Sequence, residues 1–202
     1  MLLDFDNLIK KFNLKINGVI HVGGHHGEEY DAYKKHNIPK CIFFEPDPDC
    51  LKILKAKIKD DNYIVINKAL GNTVGTINVY KSSNDGMSNS VLKPEHHIIQ
   101  YPSITFPTSF TTDIDKLDNY ATWTYNFLNM DVQGYELEVL KGGEKTLETI
   151  DYVMTEINRV HLYEKGCLVE ELDQFLSKYK FKRVETSWEG GTWGDGFYIK
   201  EA

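Results

Sequence analysis

The stretch VIHVGGHHGEEY, residues 19–30, joins a short apolar run to three glycines and an acidic segment. An apolar run that ends in glycine is typical of a buried strand that turns tightly into a helix. Glycine also lets the backbone approach a ligand closely, because it has no Cβ atom. A dinucleotide fingerprint ending at Gly27 would need glycine at the position of Val22. The pattern therefore predicts a ligand-binding turn without identifying the ligand.

Strands and helices alternate on either side of this turn, which predicts parallel βαβ units in a doubly wound α/β sheet. Apolar periodicity in the first dozen residues predicts an N-terminal helix over 1–15. Only a short glycine-rich turn separates FKRVETSW (181–188) from DGFYIK (195–200), so these segments predict a closing antiparallel pair. The remaining predicted strands cover residues 18–22, 41–46, 63–70, 75–81, 124–132 and 151–158.

The bulk composition indicates a single domain over residues 1–202. The net charge of −7 argues against nucleic acid as the partner, because phosphate binding needs clustered Lys and Arg. Three cysteines without CxxC spacing argue against disulfides and thiolate zinc sites, and favour a reducing, cytoplasmic location. No apolar run approaches the roughly 18–20 residues that span a bilayer, so no membrane insertion is expected.

Residues 82–119 form the least regular part of the sequence and are rich in Ser, Asn, Pro and His. A stretch this long without periodicity inside a compact domain is usually functional. We therefore expect residues 82–119 to contribute to a functional site.

Glu45 ends the second predicted strand, twenty-one residues after Gly24. In open α/β sheets, ligands bind outside the carboxyl ends of the strands. An acid at this place accepts hydrogen bonds from both ribose hydroxyls of a bound nucleoside and disfavours a 2′-phosphate. A surface acid before a proline turn is the alternative interpretation.

The segment MDVQGYELEVLKG (130–142) carries the second concentration of polar groups. Asp131 directly follows a buried apolar strand, where a carboxylate has to be hydrogen-bonded or functional. Gln133 occupies the start of the following helix, and Glu156 ends the next strand along the chain. Asp131 and Glu156 are therefore the first candidates for a general base, with His161 and Asp195 as the second.

The histidines are weaker indicators of function. His25 and His26 are adjacent and cannot easily reach one tetrahedral ion together, and no HxH or HExxH spacing occurs in the chain. The pair at 96–97 is equally isolated. His21 lies within a strand, where a hydrogen-bonded structural role explains it as well as a ligand role does. We therefore predict no metal site.

Eight segments taken together are more specific than any one of them. In this order, from about residue 18 to residue 200, they resemble the FkbM family of S-adenosylmethionine-dependent O-methyltransferases. The chain departs from many family members at His21, where they carry an acid. The segments are VIHVGGHHGEE, FFEPDP, NKALG, NDGMSNSVL, TTDIDKL, MDVQGYELEVLKGG, TEIN and WGDGFYIK.

The resemblance implies a Rossmann-like methyltransferase sheet of about seven strands with the last strand antiparallel. It also implies S-adenosylmethionine as cofactor, S-adenosylhomocysteine as product, and methylation of a glycan or of a deoxyhexose such as rhamnose or fucose. In this likeness the turn after the first strand faces the methionine, Glu45 the ribose, and Asp131 the sulfonium. The residues implied at the cofactor are His21, Gly23, Gly24, His25, Glu45, Pro46, Ala69, Ser88, Asp131 and Gln133. The resemblance further implies that the irregular segment 82–119, which includes His96, forms a cap that covers the site or shapes the acceptor pocket. With that role, the polar composition of the segment favours a carbohydrate hydroxyl as the acceptor.

Three other interpretations remain. YDAYK (30–34) has the Tyr-x-x-x-Lys spacing of an NAD(P)-dependent sugar oxidoreductase, although that class of enzyme carries it far downstream of the glycine turn. A non-catalytic cofactor-binding module of a larger glycan-building enzyme is a second alternative, and the chain is compatible with a homodimer or a multidomain enzyme. Within the methyltransferase class, two acids could bind a divalent cation that orients the acceptor hydroxyls.

Overall fold

The computed structural model of the chain describes residues 1–120 and 122–201. These residues form ten strands and seven α-helices. The strands are β1 (Val19–Val22), β2 (Cys41–Phe44), β3 (Tyr63–Ile66), β4 (Ala69–Leu70), β5 (Gly75–Lys81), β6 (Thr108–Asp115), β7 (Phe127–Met130), β8 (Tyr152–Asn158), β9 (Phe181–Glu189) and β10 (Trp193–Lys200). The helices are α1 (Phe5–Phe12), α2 (Tyr30–Lys35), α3 (Pro48–Lys57), α4 (His97–Gln100), α5 (Glu136–Lys141), α6 (Glu144–Leu147) and α7 (Val169–Ser177), with a 3₁₀ turn at Leu117–Asn119.

Seven strands form the main sheet in the order β3-β2-β1-β7-β8-β10-β9. The pairs β1–β2, β1–β7, β2–β3 and β7–β8 are parallel. Strand β10 runs antiparallel to both of its neighbours, β8 and β9. The predicted doubly wound α/β fold with an antiparallel last strand is confirmed.

Burial on both faces explains why the central strands read as continuous apolar runs. Every residue of β1, β2 and β7 is buried. Alternate residues point into different cores, so that Val19 packs in one cluster and Ile20 in the other. Such burial is expected for parallel strands that have helices on both faces. The chain order reverses between β1 and β7, which places a crevice at their carboxyl ends.

A second sheet of three strands, in the order β4-β6-β5, corrects two expectations. The segment 63–70 is not one strand, because β3 belongs to the main sheet and β4 to the small one. The segment 82–119 is not irregular throughout, since it contains α4 and the eight residues of β6. Strand β6 pairs antiparallel with β5 and is mostly exposed, so its sequence lacks the apolar residues that identify a buried strand. Among the described residues, no helix combines the length and hydrophobicity needed to cross a bilayer.

Candidate functional site

A cavity of about 550 Å³ opens at the carboxyl ends of β1, β2 and β7. Its volume lies within the range of about 300–1,000 Å³ that is typical of small-molecule sites. The loops after these three strands form one part of its wall. Further parts of the wall come from the first two residues of the chain, from residues 68–70, from the segments 84–91 and 97–104, from the end of β8 and from the start of β10.

Gly23 shapes the turn that follows β1. Its φ angle is +85°, and a Cβ atom at this position would lie 1.9 Å from the carbonyl oxygen of Asp131. The backbone amides of Gly23 and Gly24 both donate to the carbonyl oxygen of Phe44 at 3.0 Å. Only glycine therefore fits between the ends of β2 and β7, and this close fit forms the base of the cavity.

Glu45 is 5% exposed and lines the cavity directly after β2. One carboxylate oxygen accepts from the backbone N–H of His25 (2.8 Å) and the other from that of Asp47 (2.7 Å). Burial raises the pKa of Glu45 to about 7, against the effect of these two hydrogen bonds. The two amides fix the carboxyl group, whose remaining lone pairs can accept from ligand hydroxyls.

Asp131, Gln133 and Glu156 form a connected group on the opposite side of the crevice. The amide nitrogen of Gln133 donates to Asp131 Oδ1 (2.7 Å) and to Glu156 Oε2 (2.6 Å). The amide oxygen of Gln133 accepts from the Tyr163 hydroxyl at 2.8 Å. Gln133 has a φ angle of 54°, in the left-handed region, and the Ser90 hydroxyl donates to its carbonyl oxygen. A constrained turn therefore holds the two carboxyl groups beside one amide.

The two carboxyl groups of this trio differ in their environment. Burial, followed by the charges of Asp131 and Glu136, raises the pKa of Glu156 well above its ordinary value. Glu156 therefore favours its protonated form. Asp131 is half-buried, and within residues 1–120 and 122–201 its Oδ2 atom accepts no hydrogen bond. Asp131 is consequently the member of the group with a free acceptor atom at the cavity.

His21 lines the cavity from within β1 and is 2% exposed. Its Nδ1 atom lies 3.1 Å from the Tyr33 hydroxyl, which in turn accepts from the amide of Asn129 at 2.8 Å. Its Nε2 atom lies 3.9 Å from the carboxylate of Glu29, another cavity residue. Burial lowers the pKa of His21, so a neutral imidazole beside a carboxylate faces the ligand space.

Most of the other residues predicted to bind the cofactor also line the cavity: Pro46, Ala69, Ser88 and the loop residue His25. Gly24 does not line it, because this residue faces Leu54 and Phe43 in the core. His96, which was expected in the segment that covers the acceptor, is exposed to solvent. Its neighbour His97 is 3% exposed and lines the cavity instead, with a ring nitrogen 3.2 Å from the Ser88 hydroxyl.

The structure does not bring the two second-choice catalytic residues to the cavity wall. His161 is exposed, and its Nδ1 atom contacts the carbonyl oxygen of Gly166 at 2.7 Å. Asp195 lies beside Glu156 in the register of β8 and β10, but it is 1% exposed. Its carboxylate accepts from the backbone amides of Leu2 and Leu3, so the N-terminal segment covers it.

His25 and His26 lie closer to a third possible ligand than their sequence spacing indicates. Ligand atoms of His25, His26 and Cys50 all lie within 4.8 Å of one another. His25 has a φ angle of 42°, and the two adjacent rings stack with their centroids 3.8 Å apart. The turned backbone thus brings neighbouring histidines to the same side, and Cys50 completes a group that sequence spacing did not reveal.

Comparison with known proteins gives a family match over most of the chain. Residues 21–183 match the family model described as the methyltransferase FkbM domain. A curated relative, the 2-O-methyltransferase NoeI of Sinorhizobium fredii (strain NBRC 101917 / NGR234), is 27% identical over 132 residues. The match covers 60% of this chain and 54% of the relative, so the chain spans about half the length of that protein.

Two solved structures share the fold. A methyltransferase FkbM from Methylobacillus flagellatus KT has a TM-score of 0.60 at 12% identity, covering 91% of this chain and 43% of that one. The magnesium protoporphyrin IX methyltransferase of Synechocystis PCC 6803, solved with bound S-adenosylmethionine, has a TM-score of 0.54 at 8% identity. That match covers 96% of this chain and 74% of the other. At these identities the likeness establishes the Rossmann-like methyltransferase fold.

Proposed function

This chain belongs to the FkbM methyltransferase family, and on that basis we propose that it methylates a carbohydrate hydroxyl with S-adenosylmethionine. One observation carries the proposal: a single cavity joins Glu45 to the Asp131–Gln133–Glu156 group. Glu45 is suited to binding a nucleoside, and the Asp131–Gln133–Glu156 group is suited to proton transfer. S-adenosylmethionine, the cofactor of this family, supplies an electrophilic methyl group on its sulfonium.

The residues of the cavity fit this cofactor in three parts. Glu45 would accept from the ribose hydroxyls, since its carboxyl group is fixed by two backbone amides. Ala69 leaves room for an adenine ring beside Pro46. The Glu29 carboxylate, beside the neutral imidazole of His21, could accept from the ammonium group of the methionine head.

The Asp131 group would serve the acceptor hydroxyl. A sugar hydroxyl is a poor nucleophile, so a nearby base should take its proton as the new bond forms. Asp131 has a free oxygen for this task, and the Gln133 amide fixes the carboxyl group. Glu156, which favours its protonated form, adds little negative charge of its own. The fixed geometry can hold the reacting atoms at the roughly 3–3.5 Å that in-line transfer requires.

The far end of the cavity supports a polar, ring-shaped acceptor. The indole of Trp193 donates to the Tyr101 hydroxyl at 2.7 Å, which holds two aromatic rings rigidly at the wall. Among the described residues, the buried Asn84 Oδ1 and His97 Nδ1 atoms have no hydrogen-bond partner. Aromatic faces with a few unpaired polar atoms suit a ligand that carries both C–H faces and hydroxyls. The 2-O-methyltransferase relative agrees with a hydroxyl acceptor.

An acceptor screen tests this proposal. The protein is incubated with methyl-labelled cofactor and a panel of glycans, free deoxyhexoses, catechols and peptides, each with and without a chelator. We expect label on a sugar hydroxyl, and the chelator arm reports whether a divalent cation assists. Preferential labelling of a catechol or a protein side chain would contradict the carbohydrate assignment.

Cofactor binding offers a test that needs no acceptor. Glu45→Gln is expected to weaken binding of S-adenosylhomocysteine by about 1.5–3 kcal/mol, since a charge-assisted hydrogen bond is lost. Isothermal titration calorimetry measures the change, with Glu164→Gln as an exposed control that should bind like the wild type. Unchanged affinity, or tight binding of NAD instead, would overturn the nucleoside assignment.

The oxidoreductase alternative finds little support in the structure. Tyr30 packs against Tyr63, and the Lys34 ammonium pairs with Asp60 on the surface. Neither residue of the Tyr-x-x-x-Lys pair lines the cavity. The pattern therefore belongs to the outer face of α2.

A further inference from the structure

His25, His26 and Cys50 bring two imidazoles and one thiol together beside the cavity. Their ligand atoms lie within 4.8 Å of one another. Cys50 is buried in the first turn of α3, while both histidines are half-buried. The proposed methyl transfer uses neither of the histidine rings nor the thiol, so this cluster has no role in that chemistry.

Neighbouring groups orient the His25 ring as they do in many metal sites. Glu28 accepts a hydrogen bond from Nδ1 of His25 at 2.8 Å. A carboxylate at one ring nitrogen fixes the ring and makes the other nitrogen a better ligand. That other nitrogen, Nε2, lies 2.9 Å from the Asp85 carbonyl oxygen, and the Cys50 sulfur lies 3.7 Å from the same oxygen.

We propose that His25, His26 and Cys50 bind a thiophilic divalent cation of the zinc type, with the Asp85 carbonyl oxygen as fourth ligand. Sulfur and imidazole nitrogen are the ligands that zinc prefers, in four-coordinate geometry. Binding forms the metal–sulfur and metal–nitrogen bonds and releases the Cys50 thiol proton and one His25 proton to solvent. The ion would tie the 84–86 turn and the β1 loop, which both line the cavity, to α3, which lies behind them.

Cobalt provides the optical test. The protein is stripped with a chelator, exchanged into metal-free buffer and titrated with Co²⁺. We expect a thiolate-to-cobalt charge-transfer band that saturates at one equivalent and disappears when Zn²⁺ is added. Cys50→Ser should abolish the band, and Glu28→Gln should weaken zinc binding roughly tenfold or more.

The second histidine pair supplies a matched control. His26→Ala is expected to lower zinc affinity at least about tenfold, whereas His96→Ala removes an exposed histidine elsewhere and should change nothing. If Cys50→Ser does not fold, the comparison of the two histidine variants decides the question, together with the protons released when Zn²⁺ binds the wild type, measured by calorimetry in buffers of different ionisation enthalpy. An absent band in the wild type, a band retained in Cys50→Ser, or equal losses in the two histidine variants would overturn the proposal.

Discussion

Asp131→Asn is expected to lower methyl-transfer turnover by about 10²–10⁴-fold, the usual contribution of a general base. Asparagine has the same shape and can still accept from the Gln133 amide, so the turn after β7 should persist. It cannot take a proton from the acceptor. The binding of S-adenosylhomocysteine should therefore change much less than the rate. Steady-state kinetics on the identified acceptor and calorimetry on the product measure the two quantities separately.

Asp113→Asn is the matched control for this variant. Asp113 lies exposed on the small sheet and pairs only loosely with Lys68, at 3.9 Å. The same chemical change there should leave both turnover and product affinity near the wild-type values. Wild-type turnover in Asp131→Asn would show that Asp131 is not the general base.

The second large effect is the pH dependence of the free energy of unfolding. Burial raises the pKa of Glu45 to about 7 and of Asp195 to about 6, and it raises those of Glu136 and Glu156 as well. The folded protein thus holds protons at a pH where the unfolded chain has released them. The stabilisation is complete below the unfolded pKa values, near 4, and is lost as the pH rises through about 6–7. The free energy of unfolding should therefore be larger at pH 5.5 than at pH 8.

The size of this effect follows from the pKa values. A shift of the Glu45 pKa from 4.5 to about 7 corresponds to about 3.5 kcal/mol over the whole titration, at about 1.4 kcal/mol for each unit, and about 2 kcal/mol of this is lost between pH 5.5 and pH 8. That loss alone corresponds to a melting temperature roughly 4–8 °C higher at pH 5.5 than at pH 8. Thermal unfolding across this range measures it, and Glu45→Gln should flatten the profile while Glu164→Gln should not. A melting temperature that is constant or rises toward pH 8 would show that the carboxyl groups are not perturbed in this way.

The fold was largely predictable, because its central strands carry an unmistakable pattern. β1, β2 and β7 are buried on both faces and read as short apolar runs. Strand β6 was not predicted, since it is largely exposed and only Ile114 within it is buried. Its position depends on pairing with β5, which is a long-range contact that local composition does not encode.

The site residues that lie at the ends of core strands could be predicted from the sequence. Glu45, Asp131 and Glu156 each follow or close a core strand, and all of them line the cavity. The exceptions come from tertiary contacts. Asp195 is covered by the N-terminal segment, and Cys50 meets the histidine pair only because α3 packs beside the β1 loop. Glu29 could have been found from its place just before α2, at the same edge of the sheet.

The Asp131 carboxylate at the cavity also gives a means of distinguishing the methyl donor from its demethylated product. S-adenosylmethionine carries a positive sulfonium, whereas S-adenosylhomocysteine is a neutral thioether. A carboxylate attracts the former more strongly, and a half-enclosed cavity weakens that attraction less than bulk water does. Once the methyl group has left, the cationic charge is gone and so is this part of the binding energy. We therefore expect quick product release and weak product inhibition, which would let the enzyme work in a cell where both forms of the cofactor compete for it.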